Sequence, residues 1–252
     1  MSDWRCVILA AGRGADDPMA KAFSVQYKCT IAIAGKPMLQ WVVEALQGTA
    51  IVAPYVVVID DAKALSPAPY LDIISAENSA PASAIAAVNH TNHFPVLITT
   101  GDHPLLTPAM INHMLRHAEF SEADVLVGLA TKETISAAYP ETRRTYFNLG
   151  GTRVSGCNLF AVRSRAGLKL LGRWKDLERN RKKPWKLVGA FGVMPILWFA
   201  FGMLTPKRGF EHISRKLGII VEPVFMPFAE AAIDVDKPSD HALAEKVLNQ
   251  RK

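Results

Sequence analysis

Cysteine is scarce in this chain: Cys6, Cys29 and Cys157 are widely spaced, odd in number and form no C-x-x-C pair. That excludes a disulfide scaffold, a thiolate zinc site and a paired redox motif, and it fits a reducing, cytoplasmic setting. No internal repeat and no low-complexity linker is found. The start, Met1 to Arg5, is polar, and the apolar residues Cys6 to Ala11 run into glycine rather than a small-residue cleavage site, so no signal peptide is expected. Strong charge of one sign is also missing from most of the chain. The net charge is +6, but Arg173 to Lys186 holds seven Lys/Arg against Asp176 and Glu178. The remainder is close to neutral, which argues against a general nucleic-acid surface and confines any anionic partner to one segment.

Half of the residues are hydrophobic and 21% are charged, a balance that supports a buried core and excludes disorder. At 252 residues the chain is read as one domain, 1–252, with a helical basic and apolar insertion at about 167–218. Leu187 to Leu204 carries no charge. A membrane-spanning helix needs roughly 20 apolar residues, and Gly189, Gly192, Pro195 and Gly202 interrupt this run. A true span is therefore the least favoured reading, behind burial in the core or in a homodimer interface and a peripheral membrane contact through 173–208 with Trp174, Trp185 and Trp198.

Three short apolar runs, Trp4 to Leu9, Tyr55 to Ile59 and Val96 to Thr100, are rich in β-branched residues and closed by Gly, Asp or Pro, which predicts buried strands. Helices are expected at Met38 to Leu46, Pro81 to Asn89 and Pro108 to His117, the last capped by Thr107. This alternation predicts a Rossmann-like α/β fold with a mainly parallel sheet between helical layers and binding residues at the carboxyl ends of the strands. Further along, Asp124 to Leu129 reads as a strand, Tyr146 to Val162 as two strands turning at Gly150 and Gly151, and Lys169 to Arg181 as a helix. Ile219 to Pro227 reads as a strand and Pro238 to Leu248 as a helix.

The first strand ends in Leu9-Ala10-Ala11-Gly12-Arg13-Gly14, where small residues let backbone amides approach an anion. Alone, this pattern also suits a dinucleotide site or a tight turn. It continues with Lys28 and then Gly35-Lys36-Pro37-Met38-Leu39. Together these segments resemble the opening of the nucleotidyltransferases that include sugar-phosphate uridylyltransferases, molybdenum-cofactor guanylyltransferases and cytidylyltransferases, and phosphocholine cytidylyltransferases. The resemblance implies that Leu9, Ala10, Ala11, Gly12, Arg13 and Gly14 surround a triphosphate and that Lys28 meets the reacting phosphates. It departs at Asp16, which stands where the family carries an arginine. Arg13 or Lys21 could replace that contact, or the loop from Asp16 to Tyr27 could close on substrate.

Gly101-Asp102-His103-Pro104 follows the third strand and resembles the family's G-D-x-P, placing Gly101 at the nucleotide and Asp102 on a metal. Ala232 to Asp240 resembles its D-x-D/N-T-P-x-D segment; Asp236 matches the second metal position, Asp234 is a close alternative and Asp240 reads as a helix-start charge. The metal implied is Mg²⁺ or Mn²⁺. The family places the base near Glu77 to Ser83, where Ser79 and Ser83 offer hydroxyls, although both also suit helix capping. Arg143, Arg144 and Asn158 are the acceptor candidates, with a solvated turn the alternative for the two arginines. His90, His93, His103, His113 and His117 lack convincing metal-ligand spacing.

The resemblance implies a metal-dependent EC 2.7.7-type enzyme that moves a nucleoside monophosphate from a nucleoside triphosphate to a phosphorylated small-molecule acceptor. It spans about the first half of the chain and the final segment. A glycosyltransferase using Asp234-Val235-Asp236, and a non-catalytic nucleotide-binding protein that docks through its basic insertion, are the competing readings.

Overall fold

The computed structural model describes residues 3–12, 16–180 and 205–251, which fall into two compact units, Met1–His113 with Ile233–Lys252, and Met114–Ala232. The second unit thus begins well before the insertion expected at 167–218.

The first unit is built on the apolar runs. β1 (Arg5–Leu9) is followed by a short helix α1 (Pro18–Ala22), a small hairpin of β2 (Ala32–Ile33) and β3 (Lys36–Pro37), and helix α2 (Met38–Gln47). Next come β4 (Tyr55–Ile59), β5 (Leu71–Ser75), α3 (Ala80–Thr91) and β6 (Val96–Thr100). Four strands form a wholly parallel sheet in the order β6-β1-β4-β5. Their central runs are buried: Cys6, Val7 and Ile8 of β1, Val57 and Val58 of β4 and Leu97 of β6 have no exposed surface. That is the pattern of parallel strands covered on both faces. The expected β1, β4 and β6 are all present. β5, which was not expected, is half-exposed and carries Asp72, paired with His90 at 2.8 Å.

The tight turn of the β2–β3 hairpin needs two left-handed residues, Ala34 (φ 50°) and Gly35 (φ 87°), and this is why a glycine precedes Lys36. Lys36 does not point to a phosphate loop: it pairs with Glu44 at 2.8 Å and stacks over Trp41, whose indole donates to the Ile33 carbonyl. The chain leaves this unit within α4 (Pro108–Phe120), which the Thr107 hydroxyl caps as expected by accepting from the Met110 amide.

In the second unit, β7 (Val125–Thr131) leads through α5 (Lys132–Ala138) to β8 (Phe147–Leu149) and β9 (Thr152–Val162). β8 and β9 turn at Gly150 and Gly151, both with positive φ, as the sequence predicts. β9 runs antiparallel to β7 with a bulge. Helix α6 (Leu168–Asn180), helix α7 (Pro206–Leu217) and strand β10 (Val221–Phe225) follow, and β10 pairs parallel with β7. Asp124 joins these elements: its carboxylate accepts from the Ser164 hydroxyl and the Ile220 amide, and its carbonyl from the Arg163 amide. The Ser164 hydrogen bond comes first among the causes that hold this carboxyl below its usual range.

The apolar run Leu187 to Leu204 lies outside the described residues. Among the described residues, no helix is long and apolar enough to cross a membrane. The chain returns to the first unit at Ile233, ahead of α8 (Pro238–Gln250).

Candidate nucleotide and metal site

The carboxyl ends of β1, β4 and β6 bring together residues far apart in sequence. Leaving β1, the Ala10 amide donates to the Val58 carbonyl and the Gly101 amide to the Leu9 carbonyl, each at 2.8 Å. The two strand exits touch so closely that a methyl group on Gly101 would sit 2.9 Å from the Ala10 Cβ. Only a glycine fits there without a shift. The Gly12 amide donates to the Asp60 carboxylate at 2.9 Å. Leu9, Ala10, Ala11, Gly12 and Gly101 therefore form one cluster. Arg13 and Gly14 lie outside the described residues.

Asp102 follows directly from β6 and Lys28 begins a single 3₁₀ turn, Lys28–Thr30. Asp236 comes from the segment before α8, where Ile233 and Val235 are buried and Asp234 and Asp236 alternate outward. The Val235 amide donates to the Asp102 carbonyl at 3.0 Å, which ties this segment to the end of β6. The Lys28 ammonium then stands 2.6 Å from an Asp102 oxygen and 2.6 Å from an Asp236 oxygen. The two carboxylates thus lie within two hydrogen-bond lengths of each other. Asp240 acts as the helix-start residue expected of it: it is buried, and one oxygen accepts from the Asp236 and Lys237 amides.

Burial alone would lower the Lys28 pKa, but the charges and hydrogen bonds of Asp102 and Asp236 outweigh it and raise the pKa above the ordinary lysine value. Lys28 is therefore a cation at neutral pH and not a base. The second oxygen of Asp102 is buried and accepts no hydrogen bond among the described residues. A small cavity of about 20 Å³ is lined by Leu9, Ala10, Ala11, Lys28, Cys29 and Asp102. That is room for one ion or water.

This donor set suits a hard divalent cation. Mg²⁺ is commonly held by one or two carboxylates, the rest of its shell coming from phosphate oxygens and water. Among the described residues no group of three or more His, Cys, Asp or Glu could form a closed protein cage, so a metal here would depend on oxygens from the substrate. Asp102 and Asp236 are the residues that would hold it.

Ser79 and Ser83 both shape their own loop. Ser79 caps α3 by accepting from the Ala82 amide, and the buried Ser83 hydroxyl accepts from the Glu77 amide at 2.9 Å. Ser79 thus fills the capping role that the sequence also allowed, while Ser83, inside α3, ties the preceding loop to the helix. Asp16 is highly exposed and pairs with Lys21 at 2.7 Å, while the neighbouring Asp17 is buried and caps α1.

In the second unit, Arg143 is exposed and Arg144 half-buried, both between α5 and β8. Asn158 sits in the β7–β9 bulge with φ 47°, a strained setting that re-aims a strand side chain. The residue that sequence reasoning missed is Asp60. Its signal was its place at the carboxyl end of a buried parallel strand, where ligands meet such sheets.

Comparison with known proteins bears on the family and the fold. A solved hypothetical transferase from Thermus thermophilus is 28% identical with a TM-score of 0.81, over 96% of this chain and 100% of that one. A CMP:2-keto-3-deoxy-manno-octonic acid synthetase solved with CTP is 15% identical, with a TM-score of 0.60 over the full length of both chains. A Mycobacterium tuberculosis protein solved with manganese is 14% identical, with a TM-score of 0.54 over 97% of this chain and 99% of that one. Among curated proteins, none matches. The fold is the expected Rossmann-like three-layer α/β type with a mainly parallel sheet. Residues 6–180, which include the β1 exit, Lys28 and Asp102, match the family described as MobA-like NTP transferase domain, and the chain belongs to it.

Proposed function

We propose that the chain catalyses an EC 2.7.7-type reaction, in which a nucleoside monophosphate passes from an NTP to a phosphorylated small-molecule acceptor and pyrophosphate leaves. The observation that carries this reading is the convergence of Lys28, Asp102 and Asp236 at the exit of β1. An acceptor phosphate oxygen would form a bond to the α-phosphorus while the bond from that phosphorus to the bridging oxygen breaks. Much of the barrier is charge repulsion and alignment, since the triphosphate alone carries about four negative charges.

Lys28, kept protonated by its two carboxylate neighbours, supplies positive charge to the reacting phosphates. The backbone amides of Gly12 to Gly14 would hold the β- and γ-phosphates, the Gly12 amide exchanging the Asp60 carboxylate for a phosphate oxygen. Asp102 and Asp236 would hold Mg²⁺ or Mn²⁺, and such an ion, when bound, neutralises charge on the α-phosphate. The manganese in the Mycobacterium tuberculosis neighbour supports that choice. The buried strand β6 fixes the Asp102 backbone and the 3₁₀ turn anchored by buried Cys29 fixes that of Lys28, so little reorganisation is needed when substrate arrives. We assign the base to the loop from Glu77 to Ser83, with Ser79 and Ser83 shaping it. The acceptor is assigned to Arg143, Arg144 and Asn158 of the second unit.

The direct test is a pyrophosphate-release screen of phosphorylated acceptors with each NTP and Mg²⁺. CTP comes first, because a neighbour is solved with it. Release of pyrophosphate that disappears in Asp102→Asn, while nucleotide binding partly survives, is the expected result. Release of a nucleoside diphosphate would point to glycosyl transfer. Tight NTP binding without turnover on any acceptor would point to a non-catalytic protein.

A further inference from the structure

Lys28 stands between the two carboxylates assigned to the metal. Its ammonium is 2.6 Å from an oxygen of Asp102 and 2.6 Å from an oxygen of Asp236, so one positive charge of the chain already bridges the pair. The pair is closed on one side and open on the other: the side chains of Lys28 and Asp102 are 12% and 21% exposed, and that of Asp236 is 64% exposed. An ion from solvent therefore arrives on the Asp236 side.

The ammonium and a divalent ion compete for this pair. Mg²⁺ sits about 2.0–2.1 Å from its oxygen ligands. The Asp102 oxygen that does not meet Lys28 is buried, and the small cavity beside Asp102 is lined by Lys28 itself. A divalent ion shared by Asp102 and Asp236 would stand within a few ångströms of the ammonium, and where so little water reaches, their repulsion is weakly screened.

The long lysine stem lets the ammonium swing by rotation about side-chain bonds while the backbone of the 3₁₀ turn stays in place. Leaving costs two charge-assisted hydrogen bonds unless another anion receives it. Nucleotide phosphates are such an anion. A second donor assigned to the phosphates is held in the same way, since the Gly12 amide donates to the Asp60 carboxylate at 2.9 Å. Incoming phosphates thus replace carboxylates of the chain on both donors.

We propose, on the reading that Asp102 and Asp236 hold the metal, that Lys28 is an internal stand-in for the divalent cation. It keeps the two carboxylates closed to a free metal ion and releases them when nucleotide phosphates draw its ammonium away. Metal then enters with the nucleotide and not before it. The apparent affinity for the free ion is lowered by the fraction of molecules in which Lys28 has left the pair. The coupling is reciprocal: the nucleotide strengthens the ion as much as the ion strengthens the nucleotide.

The test is electron paramagnetic resonance titration of the full chain with Mn²⁺ alone, in about 0.15 M salt so that distant charges are screened. Wild type is expected to bind the free ion weakly, and Lys28→Met at least about tenfold more tightly. Adding Asp102→Asn to Lys28→Met should remove the gain, which ties it to the carboxylate pair. Lys63→Met takes the same charge from an exposed position beyond β4 and should bind Mn²⁺ as wild type does. Lys28→Gln, which keeps a donor for the carboxylates, should show a gain in the same direction and serves where Lys28→Met does not fold. Equal Mn²⁺ affinity in wild type and the Lys28 variants, with the ion lost in Asp102→Asn, would overturn the proposal and leave the metal site standing. A gain of the same size in Lys63→Met, or one that survives Asp102→Asn, would overturn it as well. Absence of Mn²⁺ binding in every variant, with CTP or without, would remove the metal site and the proposal together.

Discussion

The two units use similar strands toward opposite ends. In the first, buried parallel strands finish together, and the residues just beyond them carry charge: Lys28, Asp60, Asp102 and Asp236. In the second, β7, β9 and β10 lie beside a hollow whose walls are almost wholly apolar. In the first unit a rigid backbone brings opposite charges to 2.6 Å, and in the second a helix with no fully buried residue leaves hydrocarbon surface accessible. Rigid placement suits electrostatic work on a reacting phosphate.

The largest effect expected from breaking this contrast is at Asp102. Asp102→Asn should lower the pyrophosphate-release rate on the order of 10²- to 10³-fold, read by a coupled assay, with the fold intact by circular dichroism. Lys28→Met should follow, because it leaves two neighbouring carboxylates without their ammonium. The expected cost is about 1–3 kcal/mol in denaturant unfolding, together with most of the activity. Its pH dependence has a definite sign. A lysine whose folded pKa is raised contributes stability fully below its ordinary value of 10.5 and loses it as pH rises through the folded value. The difference between wild type and Lys28→Met should therefore be constant through neutral pH and shrink only in strong alkali.

Gly101→Ala tests the contact of the strand exits. With the new methyl 2.9 Å from the Ala10 Cβ, one strand end must move, at a cost of about 1–3 kcal/mol by chemical denaturation. The smallest effect is expected in the second unit. The Asp124 carboxyl is held low, first by the Ser164 hydroxyl, so its stabilising contribution is present above the ordinary carboxylate range and fades as pH falls through the folded value. Asp124→Asn should therefore melt slightly below wild type at neutral pH, and the gap should close in acid.

Most of the first unit was legible in the sequence, because its central strands are continuous β-branched runs closed by Gly or Asp. Asp102 and Asp236 could be paired only by resemblance; their convergence depends on a chain return across most of the protein, which local pattern does not encode. β5 was missed because it is half-exposed and interrupted by Asp72. Helix α7 falls within the helical insertion expected at about 167–218, but its bounds were not read, although Thr205-Pro206 and Gly218 mark its ends, because the uncharged run before it and the basic residues around it obscured a helical period. The hydroxyls of Ser79 and Ser83 looked equally suited to a base or a cap; their hydrogen bonds to Ala82 and Glu77 show them shaping the loop.

The central claim is that Asp102 and Asp236 share one divalent cation with the nucleotide. Electron paramagnetic resonance titration of Mn²⁺ in the presence of CTP should find one tight ion per wild-type chain. That ion should be lost to a similar degree in Asp102→Asn and in Asp236→Asn, with little further loss when both are changed. Tight Mn²⁺ binding that survives unchanged in either single variant would contradict the account.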